Sequence, residues 1–136
     1  MTEEKRGTLP ARQTLLLILP PMLSTFACLR LYLHLVRVRH LYPGGVLVHH
    51  LFIGVVIALP AAFVLAFGAR QRRAALVALG IGSGMILDEM AYLVLTKATD
   101  ADYVSRTSLF GGIGFVSAAV ILLLALFWRH RDEIGR

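Results

Sequence analysis

The sequence predicts an all-α fold, a four-transmembrane-helix bundle with both termini in the cytoplasm. Of the 136 residues, 57% are hydrophobic, the mean hydropathy is +0.73, and apolar runs alternate with short basic segments. This composition is typical of membrane proteins, and the length suits a single membrane domain over residues 1–136. The four predicted spans cover residues 13–36, 46–68, 74–96 and 107–128.

The first span is predicted from its apolar length, although Pro20 and Pro21 interrupt it. Membrane helices tolerate proline where neighbouring groups satisfy the freed carbonyls, so we expect a kinked helix there. Arg30 and His34 are four residues apart and therefore share one helix face. The segment 37–45, RVRHLYPGG, is typical of a turn that reverses the chain.

Small residues recur every four positions in the second and third spans. The steps are Gly54, Ala58 and Ala62 after His50, and Gly80 and Gly84 before Asp88. Such stripes let membrane helices approach closely, so they predict that His50 and Asp88 face the interior of the bundle. His49 is rotated by about 100° from His50 and is expected at an interface.

A polar loop is predicted over residues 97–106, between the third and fourth spans, with Tyr103 in an outer aromatic belt. Small residues also open the fourth span, at Gly111 and Gly112. The glycine faces of the third and fourth spans are alternatives for the interface of a homodimer, because the same residues can serve packing within one chain or between two.

Lys and Arg are distributed unevenly among the segments outside the spans. The N-terminus, the segment 70–73 and the C-terminus carry three each, nine in all, whereas the other two loops carry four together. By the positive-inside rule this predicts that both termini lie in the cytoplasm and the two other loops outside. We expect a multi-pass protein of the cell inner (plasma) membrane, with membrane lipid as its partner. The net charge of +6 therefore reflects topology, and no nucleic-acid partner is expected.

The acidic pair Asp88 and Glu89 lies within an otherwise apolar span, where each charge costs roughly 2.5 kcal/mol or more. With the predicted topology, these acids and the histidines of two other spans all lie within about 12 Å of the outer surface. Mixed His and carboxylate sets suit Zn, Fe or Mn, whereas the single cysteine excludes two-cysteine motifs. The sequence thus predicts a divalent metal site in the outer leaflet. Its candidate ligands are His34, His49, His50, Asp88 and Glu89.

Several functions are compatible with these residues, and the sequence does not decide whether the protein is an enzyme. In one, the metal assists chemistry on a lipid or lipid-like substrate, with Arg30, Glu89 and Tyr92 as catalytic candidates. A second is a proton- or cation-coupled transporter or channel subunit that uses the acids as a relay. The remaining alternatives are a b-type cytochrome with His34 and His50 as axial ligands and a structural protein with a buried ion pair.

Two short segments carry a resemblance to a known group of proteins. VHHLFIG at 48–54 and GIGSGMILDEMAYLV at 80–94 contain the motifs HHxxxG and GxGxxxxxDE, and a DY pair follows at 102–103. Together they resemble an uncharacterised family of small bacterial four-helix integral membrane proteins. The resemblance covers the second and third spans, and it implies that both histidines and both acids belong to one pattern.

Overall fold

In this computed structural model, the described residues are 9–36, 49–67, 72–97 and 99–134, and their regular structure is helical throughout. The helices are α1 (Ala11–Leu35), α2 (His50–Ala66), α3 (Arg72–Leu95), α4 (Asp100–Tyr103) and α5 (Arg106–Ile134). The all-helical prediction is confirmed. By length and composition, α1, α3 and residues 106–129 of α5 could each cross a membrane, while α2 is a shorter apolar helix of 17 residues.

The helix boundaries differ from the predicted ones at two places. The predicted loop contains α4, a single turn in which Asp102 Oδ2 accepts hydrogen bonds from the Thr99 backbone N–H (3.0 Å) and hydroxyl (2.8 Å). These bonds to Thr99 hold the pKa of Asp102 below its ordinary value. Helix α5 continues past residue 128, the predicted end of the fourth span. The prediction stopped there because the apolar run ends, but the charged residues that follow still form a helix. The predicted turn at 37–45 lies outside the described residues.

Helix α3 is the central element, and α1, α2 and α5 each pack against it. Glycines permit this approach. A Cβ atom added to Gly84 would lie 2.5 Å from the carbonyl oxygen of Met22 in α1, and Gly80 faces the α1 backbone in the same way. On another side of α3, a Cβ atom on Gly82 would lie 2.6 Å from the carbonyl oxygen of Gly54 in α2. The predicted small-residue stripes are therefore used for packing within the chain.

The two glycine faces suggested for a homodimer are both occupied inside the chain. Gly111 packs against Ala91 of α3, and Gly112 packs against Phe26 and Arg30 of α1. The homodimer stays a prediction, but these surfaces already have intramolecular partners. Gly114, two residues after Gly112, has no atom of the described residues within 4 Å of an added Cβ atom.

The contrast between Gly80 and Gly114 provides a test of the central role of α3. We expect Gly80→Ala to destabilise the protein by about 1–3 kcal/mol, because the new methyl group meets the α1 backbone, which cannot rotate away. Gly114→Ala should be neutral or stabilising by up to about 1 kcal/mol, since alanine is the better helix former. Unfolding followed by circular dichroism in detergent measures both, and equal stabilities of the two variants would contradict the packing.

Candidate functional site

Asp88 and Glu89 are adjacent in the C-terminal half of α3 and are almost completely buried. Their exposed fractions are 1% and 0%. An ionised carboxylate that leaves water is stable only if it is paired or hydrogen-bonded, so its partners determine whether it can remain charged. Except for His50, which contacts both carboxylates, their partners come from different helices.

Arg30 of α1 is the partner of Asp88. Its Nε atom forms an ion pair with Asp88 Oδ1, and neither atom has a hydrogen-bond partner elsewhere in the described part of the chain. The Arg30 Nη2 atom donates to the backbone carbonyl of Asp88 (2.6 Å), and Nη1 donates to the hydroxyl of Ser108 (3.1 Å) and the carbonyl of Tyr103 (3.4 Å). One guanidinium group thereby connects α1 to α3, α4 and α5.

Glu89 is bound mainly by α2 and α4. Its Oε1 atom accepts a hydrogen bond from the Tyr103 hydroxyl (2.5 Å) and contacts His49 Nδ1. Its Oε2 atom accepts the backbone N–H of Leu51 (2.7 Å), in the first turn of α2. Because α2 has no side-chain cap of its own, the Glu89 carboxylate takes the place of an N-cap residue and lies at the positive end of the helix dipole.

The imidazole ring of His50 lies between the two carboxylates. Its Nε2 atom is 3.0 Å from Asp88 Oδ2, and its Nδ1 atom is 3.4 Å from Glu89 Oε2. A neutral imidazole has one N–H group and can donate to only one of them, leaving a lone pair opposite the other. Both contacts are favourable only when an additional proton is present, either on the ring or on a carboxyl group.

Tyr103 was expected in an outer aromatic belt, and that expectation is wrong, because the side chain is buried. Its ring stacks on Tyr92 with 3.8 Å between centroids, and its hydroxyl lies between Glu89 and His49, 2.8 Å from His49 Nδ1. Helix α4 folds this ring back against α3. Burial, together with the hydrogen bond to Glu89, raises the pKa of Tyr103, so the phenol is a neutral donor.

Most of the predicted site residues come together, and we call the following group the carboxylate cluster. Its members are Arg30, His49, His50, Asp88, Glu89 and Tyr103. His49 was expected at an interface, but it contacts Glu89. The catalytic candidate Tyr92 is buried beside the cluster through its stack on Tyr103. Ser108, which binds Arg30, was not among the predicted site residues.

His34 lies apart from the cluster. It is exposed, and its Nδ1 atom is 2.8 Å from the carbonyl oxygen of Arg30, one turn earlier in α1. Within the described ranges, no group of three or more His, Cys, Asp or Glu residues is arranged to hold a metal ion. The histidines and acids of the cluster instead contact one another directly. Divalent metal binding therefore stays a prediction.

Comparison with known proteins gives no family model, curated protein or solved structure that matches this chain. The resemblance to small bacterial four-helix membrane proteins consequently stays a prediction as well. The interpretation of the site rests on the chemistry of its own residues.

The Arg30–Asp88 pair can be tested by a double-mutant comparison. We expect Arg30→Ala to destabilise the folded protein by about 3–5 kcal/mol, because it leaves a buried carboxylate without its counter-charge. Arg30→Ala combined with Asp88→Asn should recover part of that loss. The measurement is unfolding in detergent, supported by the amount of folded protein in membranes. Arg12→Ala, at an exposed position of α1, is the matched control, and wild-type stability of Arg30→Ala would disprove the pairing.

Proposed function

We propose that this chain is a multi-pass inner-membrane protein that binds and releases one proton at the carboxylate cluster, as a proton-coupled transporter subunit. The observation that carries the proposal is the position of His50, whose two ring nitrogens both face carboxylates. Buried ionisable groups in membrane helices commonly serve as proton or ion relays.

The charges of the cluster indicate how many protons it exchanges. Asp88 and Glu89 contribute two negative charges when ionised, and Arg30 contributes one positive charge. One further proton shared by His50 and the carboxylates makes the buried group neutral, whereas loss of that proton leaves one net negative charge. Since a net charge is costly away from water, the proton is bound in the closed cluster and leaves when the cluster is opened to water or to a compensating cation.

The histidines offer the route by which the proton enters. The side chains of His49 and His50 are 17% and 19% exposed, whereas those of Arg30, Asp88 and Glu89 are at most 8% exposed. Histidine also changes charge near neutral pH more readily than other side chains. A proton from the surface therefore reaches a histidine first and the buried carboxylates second.

The same contacts favour proton exchange over metal-assisted chemistry. His49 Nδ1 and both ring nitrogens of His50 already contact carboxylate oxygens. Ligands of one tetrahedral metal ion, each about 2.1 Å from it, lie roughly 3.4 Å from one another, whereas His50 Nε2 lies 3.0 Å from Asp88 Oδ2. The Tyr103 hydroxyl is 2.5 Å from Glu89 and 2.8 Å from His49, distances typical of hydrogen bonds.

Proton binding can be measured directly with ¹⁵N-labelled histidine. We expect the spectrum of the purified protein to change when the cluster gains or loses its additional proton, because a ring nitrogen that carries a proton is distinguishable from one that does not. His50→Gln should abolish this change, because glutamine keeps a polar, hydrogen-bonding side chain that does not gain or lose a proton as imidazole does. His34→Gln, which alters a histidine outside the cluster, should leave it intact.

Transport is tested separately with the protein in liposomes that contain a pH-sensitive dye. Under an imposed pH gradient we expect wild type and His34→Gln to move protons well above protein-free liposomes. His50→Gln should be slower by roughly 10²-fold, the contribution of a positioned acid–base group. Histidine protonation without flux would refute transport but keep the proton site, whereas neither signal would refute both.

The topology belongs to the same proposal and places the cluster in the outer leaflet. It is supported by the nine-to-four division of Lys and Arg between the two sides. A reporter enzyme that is active only outside the cytoplasm should give no signal when fused after Arg136, while a cytoplasmic reporter at the same position should be active. The opposite pattern would overturn the orientation.

A further inference from the structure

A groove of about 290 Å³ runs along the outside of α3, between α1 and α5. Helices α1 and α5 meet where Gly112 packs against Phe26. The groove lies away from that contact, towards the N-terminus of α1 and the C-terminus of α5. Its walls and floor come from three helices. The principal lining residues are Ile18, Met22, Leu79, Ser83, Ala119 and Leu122.

The chemistry of the lining excludes several occupants. Among the described residues that line the groove, Ser83 is the single polar one, and an ordered water needs two to four polar partners. None of these residues offers a carboxylate to a cation. Spread over the roughly 12 Å of α3 between Leu79 and Leu87, 290 Å³ gives a groove about 5 Å across, too narrow for a helix about 10 Å wide from a second copy of the chain.

An alkyl chain fits the groove in polarity, length and access. The floor extends along α3 from Leu79 to Leu87, which is about 12 Å at the rise of a helix. One leaflet of a bilayer is about 15 Å thick, so the floor covers most of the length of one acyl chain. Most lining residues are partly exposed, so the groove is open at the surface of three apolar helices. Met22, at 2% exposure, is almost completely covered.

We propose that this groove is a binding site for one acyl chain of a membrane phospholipid, held more firmly than the lipids that surround the remaining surface. The site is independent of the proton chemistry, because none of the residues of the carboxylate cluster line it. Its affinity arises from the burial of methylene groups against Ile18 and the leucine side chains of α3 and α5.

A phospholipid with a photoreactive diazirine on its acyl chain tests the proposal in the reconstituted wild-type protein. Mass spectrometry of the labelled peptides should find adducts concentrated on accessible groove residues such as Leu79 and Leu122, in excess over exposed apolar positions such as Phe63 of α2. Adducts distributed evenly over all lipid-facing residues would overturn the proposal, because they would indicate surrounding lipid only.

Two neighbouring alanines provide matched variants. Ala119 lines the groove, whereas Ala118 is exposed on α5 and is not among the lining residues. We expect Ala119→Leu to reduce groove labelling about tenfold, the effect of excluding roughly two methylene groups from the site. Ala118→Leu should retain wild-type labelling. Undiminished labelling in a folded Ala119→Leu variant would contradict the site, and the wild-type distribution decides the question even if that variant fails to fold.

Discussion

The ion pair between Arg30 and Asp88 is the interaction on which the arrangement of the helices depends. It brings a charge of α1 into contact with a charge of α3 where neither is exposed, and Nη1 of the same guanidinium group binds α4 and α5. Such a contact requires the backbones to be close. Gly84, one turn before Asp88, permits that approach to α1, and Gly112 provides room beside the guanidinium group on α5. The glycine pattern and the buried charges thus belong to one structural solution.

The negative charge of Glu89 is compensated by different groups from those that compensate Asp88. Asp88 is paired with an arginine, which stays charged under all ordinary conditions. Glu89 is stabilised by a backbone N–H of α2, a tyrosine hydroxyl and histidines, none of which supplies a permanent full charge. His50 contacts both acids. The cluster therefore combines one fixed charge pair with one carboxylate whose charge balance depends on a proton.

The sequence predicted those parts of the fold and site that follow from helical spacing. Asp88 and Glu89 are conspicuous in an apolar span, and the four-residue steps correctly directed His50 and Asp88 inward. Tyr103 was misplaced because its position depends on the single-turn helix α4, which hydropathy describes only as a loop. The backbone N–H of Leu51 could not be recognised, since every residue except proline has one. His34 shares a face with Arg30, but its ring binds the carbonyl of its own helix.

Proton exchange at this cluster would act most directly on α2. Helix α2 packs along α3, and no packing of comparable extent against α1 or α5 occurs in the described ranges. Its N-terminal turn is held by Glu89 through Leu51 and by both acids through His50. Loss of the shared proton would weaken the His50 contacts, whereas the Arg30–Asp88 pair on the other side of α3 would keep its charges. If the proposed proton exchange occurs, release of the proton would therefore loosen α2 before α1 and α5, because those two helices are joined to α3 through Arg30.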